Sequence, residues 1–155
     1  AEAEALLAQS KSDPSQTHIP ISYVPVRMAA TRLALKQGDY AQAVAETEAL
    51  LEGGIRVHIP HALYWQAQAL LGLGHEDAAW ERLLKARAEA EAIGSRWALW
   101  RILYSLSQME ADADRASFLQ CQAKEIVQSI LSHIDTPELR ASFLELPHVR
   151  AVMLS

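Results

Sequence analysis

Glycine and proline cut this chain into pieces of helix length, and that punctuation constrains its fold more than any other feature. The six glycines stand at 38, 53, 54, 72, 74 and 94, and the six prolines at 14, 20, 25, 60, 137 and 147. An interior glycine costs a helix about 1 kcal/mol and an interior proline about 3. Glycine is favoured just past a helix end and proline in a first turn. The punctuation predicts a partial helix over 1–9, a loop over 11–19, and helices from 21 or 25 to 37, 40–52, 60–73, 76–93, 96–110 and 115–134. Pro137 and Pro147 open two short helices at the end. Ser95 and Asp135 or Thr136 are expected as N-caps, since their side-chain oxygens can accept from free N–H groups. The piece from Glu76 shows the periodicity best: Ala79, Trp80, Leu83, Ala86 and Ala90 recur at three- and four-residue steps, with Glu81, Arg82, Lys85 and Glu89 on the other face. No segment alternates as a strand does, so the expected class is all-α.

The turns recur as well. Gly38 and Gly74 stand 36 residues apart, and ATRLALKQGDYAQAVAETEALL aligns with QAQALLGLGHEDAAWERLLKAR. Ala43 pairs with Ala79, and Leu50 with Ala86. A third stretch, LYSLSQMEADADRASFLQCQAKEI, keeps Ala116 and Ala123 but has Ala111 in place of the turn glycine. This pattern resembles the tetratricopeptide repeat, a unit of about 34 residues in two antiparallel helices. The residues that carry the resemblance are Ala30, Gly38, Asp39, Tyr40, Ala43 and Leu50, then Leu63, Ala67, Leu70, Gly74, Ala79 and Ala86, then Trp100 and Leu103. Arg27 departs from it where a bulky apolar residue is usual, as do Thr31 and Tyr104 where a small one is usual.

The resemblance implies a short right-handed α-solenoid of stacked helix pairs, with small-residue seams and a C-terminal helical cap. As one domain over 1–155, it divides into a partial helix and loop (1–19), repeats over 20–56, 57–94 and 95–134, and capping helices over 135–155. The tail is similar to the closing segment of large bacterial ATPase- or cyclase-type signalling regulators through Leu139, Arg140, Phe143 and Leu144, then Pro147, Val149 and Arg150. Phe143 and Leu144 are expected to cover the last repeat. The opening AEAEALLAQS reads as a helix interior, so the chain is expected to be a piece of a longer protein. Ala5, Leu6 and Leu7 would leave an apolar edge there, suited to upstream repeats or to self-association.

Composition narrows the function. Hydrophobic residues are 50% and charged ones 21%, a globular balance. The net charge is -5 with no Lys/Arg cluster, which argues against nucleic acid, whose affinity comes from phosphate neutralisation by basic residues. No apolar run reaches the roughly 20 residues of a membrane helix. A lone Cys121 fits a reducing cytoplasm, and its neighbours Phe118 and Ala123 give it a buried packing role. No phosphate loop, nucleophile elbow or metal set stands out. His58 and His61 are the closest histidines, but Pro60 is expected to hold Ile59 extended and keep them off one helical face. No catalytic residue, cofactor or metal is therefore assigned.

In the family it resembles, the first helix of each pair lines a concave groove. That register sends Pro25, Met28, Ala29, Arg32, Leu35 and Lys36 inward from the first copy. His61, Tyr64, Trp65, Gln68, Leu71 and Gly72 follow from the second, and Ala98, Arg101, Ile102, Ser105, Gln108 and Met109 from the third. Met28, Arg32, Lys36, His61, Tyr64, Trp65, Gln68, Arg101, Ser105 and Gln108 are the expected partner-binding set. Arg and aromatic side chains anchor interfaces because they combine area with directed donors. Ala29, Trp65 and Ile102 occupy the positions where chaperone-tail clamps carry Asn, so that clamp is not expected. The implied function is a protein- or peptide-binding scaffold. The alternatives are structural self-association and a small-molecule groove.

Overall fold

The computed structural model describes residues 23–154, and every regular element among them is helical. They are α1 (Tyr23–Gln37), α2 (Tyr40–Glu52), a single 3-10 turn (Arg56–His58), α3 (Ile59–Gly72), α4 (Glu76–Ala92), α5 (Arg96–Met109), α6 (Ala113–Ser132), α7 (Pro137–Leu144) and α8 (Pro147–Leu154). The helix expected over 1–9, its apolar edge at Ala5, Leu6 and Leu7, and the loop over 11–19 lie outside the described residues.

The turns after α1, α3 and α4 are built alike, the last with Gly94 at φ +67°, its N–H on Glu91 and that of Ser95 on Ala90. After α1, Gly38 takes φ +75°; its N–H donates to the Leu35 carbonyl and that of Asp39 to Ala34. After α3, Gly74 takes φ +78° and repeats the pattern, with its own N–H on Leu71 and that of His75 on Leu70. A Cβ strains this left-handed conformation, and the two bonds cap carbonyls the helix leaves free. The turn after α5, the third in the sequence alignment, lacks glycine and is solved differently. Glu110 is extended, and the Asp112 carboxylate accepts from the Arg115 N–H at 2.9 Å, which starts α6 at Ala113 rather than at 115. Asp39 caps α2 in the same manner, accepting from Gln42 N–H at 3.1 Å.

Several local expectations are corrected. Ser95 and Thr136 occupy N-cap positions, but neither side chain caps its helix. Ile59 is helical, not extended, although Pro60 follows it. The 3-10 turn Arg56–His58 runs directly into α3. Cys121 is exposed, because it lies on the outer side of α6 while Leu119, Ala123 and Val127 face the core.

From α1 to α6 each helix packs on the next in chain order, and α1 also touches α3, as α3 touches α5. Alanines make the close approaches: Ala43, Ala67, Ala79, Ala86, Ala90 and Ala123 are fully buried. Ala116 is only half-buried, in keeping with the altered third turn. The main core runs through α3 to α6 around Leu63, Leu83, Trp100, Ile102, Leu106 and Val127. The departures at the first pair are accommodated in specific ways. Thr31 is fully buried and donates its hydroxyl to the Arg27 carbonyl at 2.8 Å. The Arg27 guanidinium donates to Glu46 at 2.9 Å across the α1–α2 contact, and Gln42 donates to the other Glu46 oxygen at 2.7 Å.

The last two helices do not continue the succession. α8 packs on α6 and α7, with Val149 and Val152 fully buried in the main core. On α7 only Phe143 is buried, its ring 5.5 Å from that of Trp97. Leu144, expected beside it as part of the cap, is exposed instead, since a helix places consecutive residues on different faces.

Candidate functional site

One face of α1, α3 and α5 forms a groove with two adjoining recesses. The larger encloses about 570 Å3 between Arg32 and Met28 on α1, His61, Tyr64 and Trp65 on α3, and Trp97 and Arg101 on α5, with His148 of α8 at its edge. The smaller, about 390 Å3, continues past Tyr64 and Trp65 to Gln68, Lys36 and Tyr40, and His148 borders it too. Helical spacing aligns these groups: 28 and 32, 61 and 65, and 97 and 101 are each one turn apart, so each pair shares a face.

Arg101 organises the larger recess. Its guanidinium carbon sits 4.5 Å from the centre of the buried Trp100 ring and 5.3 Å from that of Trp97. Such cation–aromatic contacts fix where the charge points. Its Nη1 donates to the Trp97 carbonyl at 3.1 Å. Burial pushes the Arg101 pKa down, the neighbouring Tyr64 opposes this, and the like charge of Arg32 adds to it. Burial likewise lowers the His61 pKa, helped by Arg101 and His58, which favours a neutral imidazole. That ring tilts against Trp65, centroid to centroid 5.9 Å. Burial raises the Tyr64 pKa, and Ser105 and the Arg101 charge work against the rise.

No acidic residue lines either recess among the described residues. The two described ion pairs, Arg27–Glu46 and Arg87–Glu91, leave Arg32 and Arg101 without a carboxylate partner. Among the described residues, then, the arginines of the groove have no carboxylate beside them, on a chain whose net charge is -5.

Of the residues expected to bind a partner, the larger recess brings together Met28, Arg32, His61, Tyr64, Trp65 and Arg101. Lys36 and Gln68 line the smaller one. Gln68 donates to the Ser105 hydroxyl at 3.3 Å, so this pair ties α3 to α5. Gln108 is exposed, lines neither recess, and donates to Ser107 at 3.4 Å. Two residues assigned inward by register, Ala98 and Ile102, are buried in the core instead. Trp97 takes the inward place, and the signal for it was present: it lies one turn before Arg101. Tyr40 and His148 were also missed. Tyr40 is expected only as the start of the 40–52 helix and as a position of the repeat resemblance, and His148 arrives from the chain's far end, beyond the reach of any local spacing.

Among the described residues no group of three or more His, Cys, Asp or Glu side chains is placed to hold a metal, and no helix is long and apolar enough to cross a membrane. No protein-family model, curated protein or solved structure matches the chain.

Proposed function

We propose that this chain is a scaffold of stacked tetratricopeptide-like helix pairs whose groove receives an extended segment of a partner protein. The observation that carries the reading is the groove itself: it runs along α1, α3 and α5, the first helices of the three pairs, and holds aromatic and arginine side chains. Further support comes from the packing of helices in chain order, from the α1–α3 and α3–α5 contacts, and from the buried alanine seams. Aromatic and Arg groups that combine an apolar body with directed donors suit an interface anchor. The tail elements and the lone cysteine fit the C-terminal region of a bacterial signalling or transcription regulator working in the cytoplasm, with a protein, a peptide or neighbouring domains of its own chain as partner.

The test is to select binders from a displayed library of extended peptides against the whole chain, then titrate the best of them. Trp65→Ala and Arg101→Glu are expected to weaken binding by at least about tenfold, as loss of an anchor residue does. Phe118→Ser, in a separate recess beside Trp80 and Leu84, leaves it unchanged. Selected peptides that bind all three variants equally well would remove the groove from the account.

A second reading has one observation in its favour. Arg32, Tyr64 and Arg101 converge on a single cleft of about 570 Å3, a volume within the range of small-molecule sites.

A further inference from the structure

We propose that the groove's anchor point takes an oxyanion carried on a flat apolar body, held between Arg32 and Arg101 and packed against Trp65 and Trp97. This rests on the binding-groove reading and specifies the chemistry of what is bound.

Two features of the arginines point to an anion, and a third to what carries it. First, the two arginines are unmatched. Arg32 is exposed and makes no hydrogen bond or ion pair among the described residues. Arg101 spends one N–H on the Trp97 carbonyl, leaving most of a five-donor fork free. A half-buried guanidinium usually finds an acceptor, because desolvating its donors without replacement is costly. Here the protein offers Arg101 two aromatic faces and a single carbonyl.

Second, the charges face one another. Arg32 and Arg101 line the same recess and their like charges interact unfavourably. An anion between them turns repulsion into attraction. The arrangement also suits bidentate recognition, since the planar fork matches both oxygens of a carboxylate or two of a phosphate.

Third, the surroundings select what accompanies the charge. Trp65 and Trp97 provide flat apolar walls, and no described acidic side chain lines the recess. A bare inorganic anion would leave those walls unused. An acidic side chain next to an aromatic one in a peptide, or a free aromatic acid, would fill both parts.

The test compares charge at constant shape. Phenylacetate is titrated against phenylacetamide, and the peptide acetyl-Gly-Phe-Glu-Gly-amide against its Phe-Gln counterpart. The shifts of the Trp65 and Trp97 indole N–H signals are followed at low ionic strength. The anionic member of at least one pair is expected to bind about tenfold or more tightly, and the preference is expected to collapse in Arg101→Gln and in Arg32→Gln. Because Arg101 covers Trp100, its variant risks the fold; Arg32, exposed and without a partner among the described residues, does not, so it keeps the test decisive. A preference confined to the peptide pair identifies a protein partner as the source of the oxyanion, and one confined to phenylacetate identifies a small molecule. Equal binding within both pairs, no binding by any probe, or an anion preference that survives Arg32→Gln overturns the proposal. Tight binding of both peptides without charge preference leaves the scaffold reading standing while removing this one. Binding of phenylacetate with no peptide bound does the reverse.

Discussion

Gly72 ends α3 without needing a left-handed backbone, and its reason for being glycine lies on another helix. The Tyr40 ring of α2 rests on it so closely that a Cβ would overlap the ring atoms. An exposed glycine at a helix end ordinarily gains up to about 1 kcal/mol on replacement by alanine. Here overpacking opposes that gain by about 1–3 kcal/mol, so Gly72→Ala is expected to lower stability by about 1–2 kcal/mol in urea unfolding. Combining it with Tyr40→Ala should cost less than the sum of the two changes, because the clash has gone. A neutral or stabilising Gly72→Ala would mean the ring moves freely, and the smaller recess would then lose a fixed wall. This is also where residue-level reading of the sequence divides. Gly38 and Gly74 declare themselves as turns, since their requirement is local backbone geometry. Gly72 and Cys121 are decided by which neighbour lies across from them, and no neighbour can be read from a single stretch of chain.

Helix limits were legible to within about two residues because breakers and caps act within one turn. At α6 the cause is local too, since Asp112 caps the helix two residues early, while α3 takes in Ile59 directly after a 3-10 turn. What spacing does not reveal is how two helices settle a mismatch at their contact. Arg27 stands where an apolar residue was anticipated, and α2 answers with Glu46, itself held by Gln42. The pair is largely sequestered, with side-chain exposures of 18% and 9%. Removing one partner strands the other charge, whereas replacing both with apolar groups of similar volume is often neutral or stabilising. Glu46→Ala is therefore expected to cost about 2–3 kcal/mol. Arg27→Met with Glu46→Leu should restore stability to within about 1 kcal/mol of the parent, measured by the urea midpoint at constant slope. A double variant as unstable as Glu46→Ala would show that the ion pair itself, and not the need to satisfy it, holds α1 to α2.

Across the whole molecule, the part of the groove that repeats with the helices was visible in the sequence, and the part contributed by the returning C-terminus was not. Arg32, His61, Tyr64, Trp65 and Arg101 follow from the register of the repeat that the sequence resembles; His148 depends on α8 folding back against α6. That helix buries Val149 and Val152 while its neighbouring residue, His148, borders both recesses. The two roles are separable. Ending the chain after Leu146 exposes the core surface those valines cover, at roughly 1.5–3 kcal/mol for each. The loss should be local, since α8 touches α6 and α7 but makes no comparable contact with α1 to α3. Amide exchange in α6 is therefore expected to accelerate by about 100-fold or more, while α2 and α3 change far less, as in chains whose stability is a sum over neighbouring units. His148→Ala, at an exposed position, should leave exchange in all of them within about 0.5 kcal/mol of the parent. Acceleration spread evenly from α1 to α6 would show one cooperative unit, and unchanged exchange in α6 would deny α8 its part in the core.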